Sequence, residues 1–240
     1  MNPRPACNQW RIIVIIGLII SISSPSHALL LRYSGVYKKT PINVVYIFDT
    51  THTDHKITAT IMGEGLVETN ESIMRNNTLI QMNQSTKNDI DQKYFEWSLS
   101  RSDDTTHIQF YRQRFQDSLT TTFSSKVPIV SLQGLIYLLQ NEPLEQKKTI
   151  RKQLLVPWKS VIPLSFSIIK ETVLFIDGHA IPSYVIRIQL NGFFGTILPK
   201  VTLWVSKKKP HIMLKQTGLN GTYQITNIDS IVTQWHDAPK

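Results

Sequence analysis

Val173-Leu174-Phe175-Ile176-Asp177-Gly178-His179-Ala180-Ile181-Pro182-Ser183-Tyr184-Val185-Ile186-Arg187-Ile188-Gln189-Leu190 decides the fold. Four apolar residues run into Asp177-Gly178, a dipeptide suited to a two-residue hairpin turn whose central positions both need a positive φ. Beyond it Ile186, Ile188 and Leu190 recur at every second position, the period that places side chains on one face of a strand. The pattern continues downstream. Asn191-Gly192 ends the second strand, Val201, Leu203 and Val205 alternate with Thr202, Trp204 and Ser206, and Lys207-Lys208-Lys209-Pro210 turns the chain into His211 to Gln216. Asn220-Gly221 then leads into Thr222 to Asp229. Consecutive strands joined by short turns predict an antiparallel meander.

Upstream the same period holds. Ile57, Ala59 and Ile61 share a face opposite Thr58 and Thr60, and Phe95, Trp97 and Leu99 alternate with Tyr94, Glu96 and Ser98. Ile108 and Phe110 alternate with His107, Gln109 and Tyr111, so the polar Arg101-Ser102-Asp103-Asp104 between these runs predicts a hairpin. Residues 64–92 are polar and Asn-rich, and are expected to be loop with one short strand at Leu79-Ile80. One segment switches period: after Ile129, apolar residues recur at Leu132, Leu135, Ile136 and Leu139, with Ser124 or Ser125 to cap and Pro128 in the first turn. This predicts a helix from Ile129 to Gln140, followed by a basic amphipathic stretch from Leu144 to Leu155 that Pro157 stops. The fold class is therefore mainly β with inserted helices (α+β). No linker rich in Gly, Ser or Pro and no internal repeat divides it, which makes residues 29–240 a single domain. Val44 to Phe48 and Val173 to Ile176 have no polar side, so the sheet is expected either to curl around a helix or to enclose an apolar cavity.

Residues 1–28 read as a cleavable export signal. Arg4 and Arg11 precede the apolar run Ile12 to Ile22, and Ser26-His27-Ala28 supplies small residues before a cut. A membrane-spanning helix needs about 20 apolar residues, so this run is short for a span. The chain of 240 residues carries 26 Lys plus Arg against 17 Asp plus Glu, a formal charge of +9 that falls to +7 once Arg4 and Arg11 are removed. Its single cysteine, Cys7, lies in the signal, and an exported chain without cysteine points to a bacterial periplasm. Four matches to the glycosylation acceptor pattern, at Asn70, Asn76, Asn83 and Asn220, are read as polar loops.

Candidate chemistry is sparse. His52 and His55 form the closest histidine pair, but metal ligation needs a third ligand that the sequence does not nominate, so a solvated turn is the favoured reading and no metal is expected. His179 follows the Asp177-Gly178 turn, where Asp177 could orient it as a base. There is no G-x-S-x-G elbow, and Gly63-Glu64-Gly65 lacks the third glycine of a dinucleotide loop. The expectation is a protein without catalytic residues or cofactor. Lys147-Lys148, Arg151-Lys152 and Lys207 to Lys209 suggest a patch for an anionic envelope surface, whereas export and the lack of a binding motif argue against nucleic acid.

The order of elements resembles an uncharacterised family of bacterial periplasmic proteins related to the lipoprotein-carrier fold of LolA and LolB. The likeness rests on the opening strand Leu31-Arg32-Tyr33-Ser34-Gly35-Val36-Tyr37-Lys38, the inserted helix Ile129 to Gln140, and Leu198 to Gly218 with its Trp204-Val205-Ser206 strand. The Val173 to Leu190 hairpin matches too, and the long polar stretch 64–92 departs from the pattern. The resemblance implies a curled antiparallel sheet forming an incomplete barrel wrapped around one or two helices, with an apolar cavity for a lipid or acyl chain. Phe48, Phe95, Trp97, Phe110, Ile188 and Trp204 are the candidates to line it. A monomeric, non-enzymatic periplasmic amphiphile binder is then the expected function; a cell-envelope interaction or structural protein with a filled core is the alternative.

Overall fold

The computed structural model describes residues 28–50, 53–90, 93–112, 117–124, 128–146, 149–156, 160–190, 200–218 and 221–237. The export signal therefore lies outside the described residues. Eight strands come first: β1 (Leu29–Tyr37), β2 (Thr40–Thr50), β3 (Asp54–Gly63), β4 (Leu66–Arg75), β5 (Thr78–Asn88), β6 (Lys93–Ser102), β7 (Thr105–Arg112) and β8 (Asp117–Ser124). A short strand β9 (Ile129–Val130), helix α1 (Leu132–Asn141) and a 3₁₀ turn (Leu144–Gln146) follow. Then come β10 (Thr149–Val156), β11 (Ser160–Ile176), β12 (His179–Leu190), β13 (Val201–Ser206), β14 (Met213–Gly218), β15 (Gly221–Ile225) and helix α2 (Ile228–Asp237).

Turn chemistry sets the register. Lys38-Lys39, Asn76-Asn77 and Asp177-Gly178 all hold both central residues at positive φ, as hairpin turns matched to strand twist require. The strands form one sheet of 15, in the order β8 to β1, then β15 back to β9, with every neighbouring pair antiparallel except β9 and β10. Two meanders thus meet where β1 pairs β15. One face of the sheet carries the core: Leu31 and Tyr33 of β1, Val44, Tyr46 and Phe48 of β2, and Ile57 of β3 are all nearly inaccessible.

Helix α1 lies on that inner face. Ser131 caps it, its hydroxyl accepting from the Gly134 amide at 2.9 Å. Gly134 sits against β4, where a Cβ would lie 2.9 Å from Met74 Sδ. The Tyr137 ring packs 4.7 Å from His55 and 6.4 Å from Phe48. The helix's far end reaches the other meander: the His211 amide donates to the Gln140 carbonyl at 3.2 Å.

The structure departs from the sequence expectations in six respects. Residues 64–92 are mostly strand, β4 and β5, because their Asn, Gln, Ser and Thr side chains occupy both faces, including the buried one. The helix starts at Leu132 rather than Ile129, since Ile129 and Val130 pair with β10 and Ser131 caps. Much of the amphipathic stretch after it is strand β10, held by eight register partners on β11. Val173 and Phe175 are exposed, at 49% and 74%, and Ile47 at 39%, so those runs do have a solvent side. Thr226 to Asp229 leaves the sheet for α2, whose Ile228, Ile231 and Val232 follow helical spacing. The mainly β, antiparallel fold class holds, but the sheet is neither closed nor strongly curled. Its order is linear, with β8 and β9 as edges.

Gly35 sits at the junction of the meanders, where a Cβ would come 2.0 Å from the Thr222 carbonyl oxygen and 2.5 Å from Tyr223 Cα. Backbone atoms cannot swing aside as a flexible side chain can. Gly35→Ala is expected to lower stability by about 3 kcal/mol, the upper range for overpacking, read as a lower urea midpoint at unchanged slope.

Candidate functional site

The middle of the first meander is polar on both faces. On the inner face, Trp97 Nε1 donates to Gln84 Oε1 at 2.9 Å, Asn70 Nδ2 donates to the same oxygen at 3.4 Å, and Gln84 Nε2 donates to Thr86 at 3.2 Å. Ser72 Oγ donates to Asn70 Oδ1 at 2.7 Å. Buried amides and hydroxyls are costly unless paired, so this chain ties β4, β5 and β6 into one register.

Glu68 lies beside this network. Burial pushes its carboxyl up to about 7, offset in part by a hydrogen bond with Thr86. Burial raises Tyr46 to about 12 and also raises Tyr223, with the charge of Glu68 a smaller contribution to both. Tyr33, Tyr46 and Tyr223 form an edge-on aromatic cluster with centroids 5.6 to 5.7 Å apart, and Tyr33 Oη donates to the Met213 carbonyl at 2.8 Å.

The outer face of β3 to β8 holds an open concavity of about 810 Å³. Strand register builds it from two rows. One runs Thr58, Glu71, Asn83, Ser98, Gln109 and Thr120, each opposite the next across adjacent strands. The other runs Thr60, Thr69, Ser85, Glu96, Tyr111 and Ser118. Most are exposed, and Glu71 pairs with Lys56 of the next row at 2.8 Å. The flanking rows differ: one contains Lys56 and Ile73, the other Met62, Val67 and Lys87.

Of the six cavity candidates, four belong to the buried core cluster and Phe95 and Trp204 pack against it. Phe48, Trp97, Phe110 and Ile188 are core residues exposed by no more than 8%, and Phe95 packs 5.6 Å from Phe110. Trp97 and Phe110 border the outer concavity, but alternation turns their side chains inward. Trp204 lies in the outward row with Lys215, whose ammonium sits 5.4 Å above its ring.

The histidines part company as well. His52 lies outside the described residues, and His55, its pKa lowered by burial, stacks on Tyr137. No cluster of three metal-ligating side chains occurs among the described residues. His179 pairs with Asp229 of α2 at 2.6 Å rather than with Asp177, which is held in the turn at positive φ. Several basic residues are committed to acids: Lys152 to Glu142, Lys207 to Glu171 and Lys209 to Glu145. Lys147 and Lys148 lie outside the described residues. No helix among the described residues is long and apolar enough to cross a membrane.

The rows have no contiguous signature in the sequence because they exist only once register is known. Their one visible trace is the run of short polar residues at every second position, as in Thr58-Ala59-Thr60 and Asn83-Gln84-Ser85. No protein-family model matches the chain, and no similar curated protein or solved structure was found.

Because Glu68 binds its proton more tightly in the fold than in the unfolded chain, stability falls as pH rises from about 4.5 to about 7 and is level above that. The residue is only half-buried, which discounts the effect to about 2 kcal/mol. Glu68→Gln, which resembles the protonated form, is expected to match the parent protein at pH 4 and exceed it by that amount at pH 8 in urea unfolding.

Proposed function

We propose that the chain is an exported, non-enzymatic interaction protein of the bacterial envelope, monomeric and with a filled core. The observation that carries this reading is the contrast between the two faces. Phe48, Trp97, Phe110 and Ile188 are buried in the core, with Phe48 6.4 Å from Tyr137 of α1, while the open concavity is lined mainly by exposed hydroxyl, amide and carboxylate groups. A site for an acyl chain would be lined mainly by apolar side chains. The Arg-flanked apolar run before Ala28 supports export.

An amphiphile carrier is the second reading. It requires an apolar space among Phe48, Phe95, Trp97, Phe110, Ile188 and Trp204. Contact of α1 with both meanders, at Met74 and at His211, is the observation in its favour.

The two readings separate in one preparation. The full chain, expressed in a bacterium and recovered from the periplasmic fraction, is expected to begin at Leu29, to release no lipid on solvent extraction and mass spectrometry, and to leave a fluorescent fatty acid unbound. Stoichiometric co-purifying lipid would overturn the filled-core reading in favour of the carrier.

A further inference from the structure

We propose that the concavity across β3 to β8 binds a neutral glycan chain. This rests on the reading above, that the chain is a binding protein, and names the occupant.

Charge selects first. The protein as a whole is strongly basic, yet among the described residues no Lys or Arg lines the concavity, whose charged lining groups are Glu71, paired at the rim with Lys56 at 2.8 Å, and Glu96. A polyanion, whether nucleic acid or an anionic lipid surface, is bound by clustered cations and is disfavoured by a lining that offers none. A neutral ligand is not.

Hydrogen bonding selects next. Hydroxyls both donate and accept, and amides present a donor and an acceptor side by side, which matches the vicinal hydroxyls of a sugar. Eleven of the twelve side chains of the two central rows are Thr, Ser, Asn, Gln or Glu, the exception being Tyr111; one flanking row reads Lys56, Ile73, Gln81, Ser100, His107 and Thr122, and the other Met62, Val67, Lys87 and Tyr94.

Geometry favours an extended polymer. Adjacent strands stand about 4.8 Å apart, so a chain laid across them meets a fresh pair of polar groups at each step, close to the repeat of linked pyranose rings. Ser and Thr have few rotamers to lose on binding, and the Trp97–Gln84–Asn70 network beneath fixes the strands that carry them. Tyr111, 41% exposed between Glu96 and Ser118, offers an aromatic surface to the apolar face of a sugar ring.

The test uses the processed full chain and calorimetry with three probes: a soluble neutral β-glucan oligomer, an oligomer of N-acetylglucosamine, and heparin as the polyanion. Saturable binding of at least one neutral oligomer is expected, with heparin at least tenfold weaker at matched salt. Tyr111→Ala is expected to weaken that binding about tenfold, the loss of one buried aromatic contact. Asn83→Lys, a surface change checked for folding by circular dichroism, is expected to weaken it as well. Preference for heparin, absence of binding to either neutral oligomer, or equal binding by parent and folded variants overturns the proposal. If the neutral oligomers fail while the chain still sediments with isolated envelopes, the glycan assignment falls and the interaction reading stands.

Discussion

Pairing of the first strand with the last makes one sheet out of two. Without the β1–β15 ladder, the eight strands of one meander and the seven of the other would each end in a bare edge. Five register pairs, from Tyr33–Ile225 to Tyr37–Gly221, make the join. Gly35 lets the backbones approach, and Tyr33 bridges the rings of Tyr46 and Tyr223 across it. Edge-on aromatic pairs contribute about 1 kcal/mol each beyond the area they bury. Asn227 fastens the end of the ladder, accepting from the Arg32 amide and donating to the Leu30 carbonyl, both at 2.9 Å. Helix α2 begins directly after it, so the same asparagine ends the sheet and aims the helix.

The first meander departs from the usual division between a wet and a dry face. Its outer rows are hydroxyl and amide, and directly beneath, the inner face places Asn70, Ser72, Gln84 and Thr86 where apolar residues would ordinarily stand. A paired polar network adds little net stability compared with well-packed methyl groups, but it penalises any slip of register, because a slip of one residue would strand every member unpaired. That specificity matters for a surface whose rows are defined by which residue stands opposite which.

Strands with apolar alternation were legible from their residues alone: Phe95, Trp97 and Leu99 in β6, Ile108 and Phe110 in β7, Ile186, Ile188 and Leu190 in β12, and Val201, Leu203 and Val205 in β13. β4 and β5 were not, since periodicity reading looks for hydrophobic residues and these strands bury Asn, Ser and Thr. The same feature concealed the candidate site, which is assembled from six strands and has no contiguous motif. Runs such as Val173 to Ile176 misled in the opposite direction. Apolar composition on both faces suggested double cover, yet Phe175 stands in solvent beside the Asp177-Gly178 turn, and local sequence carries no record of which strand a hairpin projects beyond.

The join between β1 and β15 also has a history in time. Roughly 190 residues separate Tyr33 from its partner Ile225, and at ordinary elongation rates of about 5 to 20 residues per second that interval lasts roughly 10 to 40 s. β2 arrives early and covers one edge of β1, but the other edge waits, with the amides and carbonyls of Tyr33 to Tyr37 unpaired, until nearly the whole chain has been made. Until β15 is delivered the folding chain carries an open edge strand, the kind of surface that recruits other chains. A cell that makes this protein has to keep that edge occupied or solvated until the last strand is delivered.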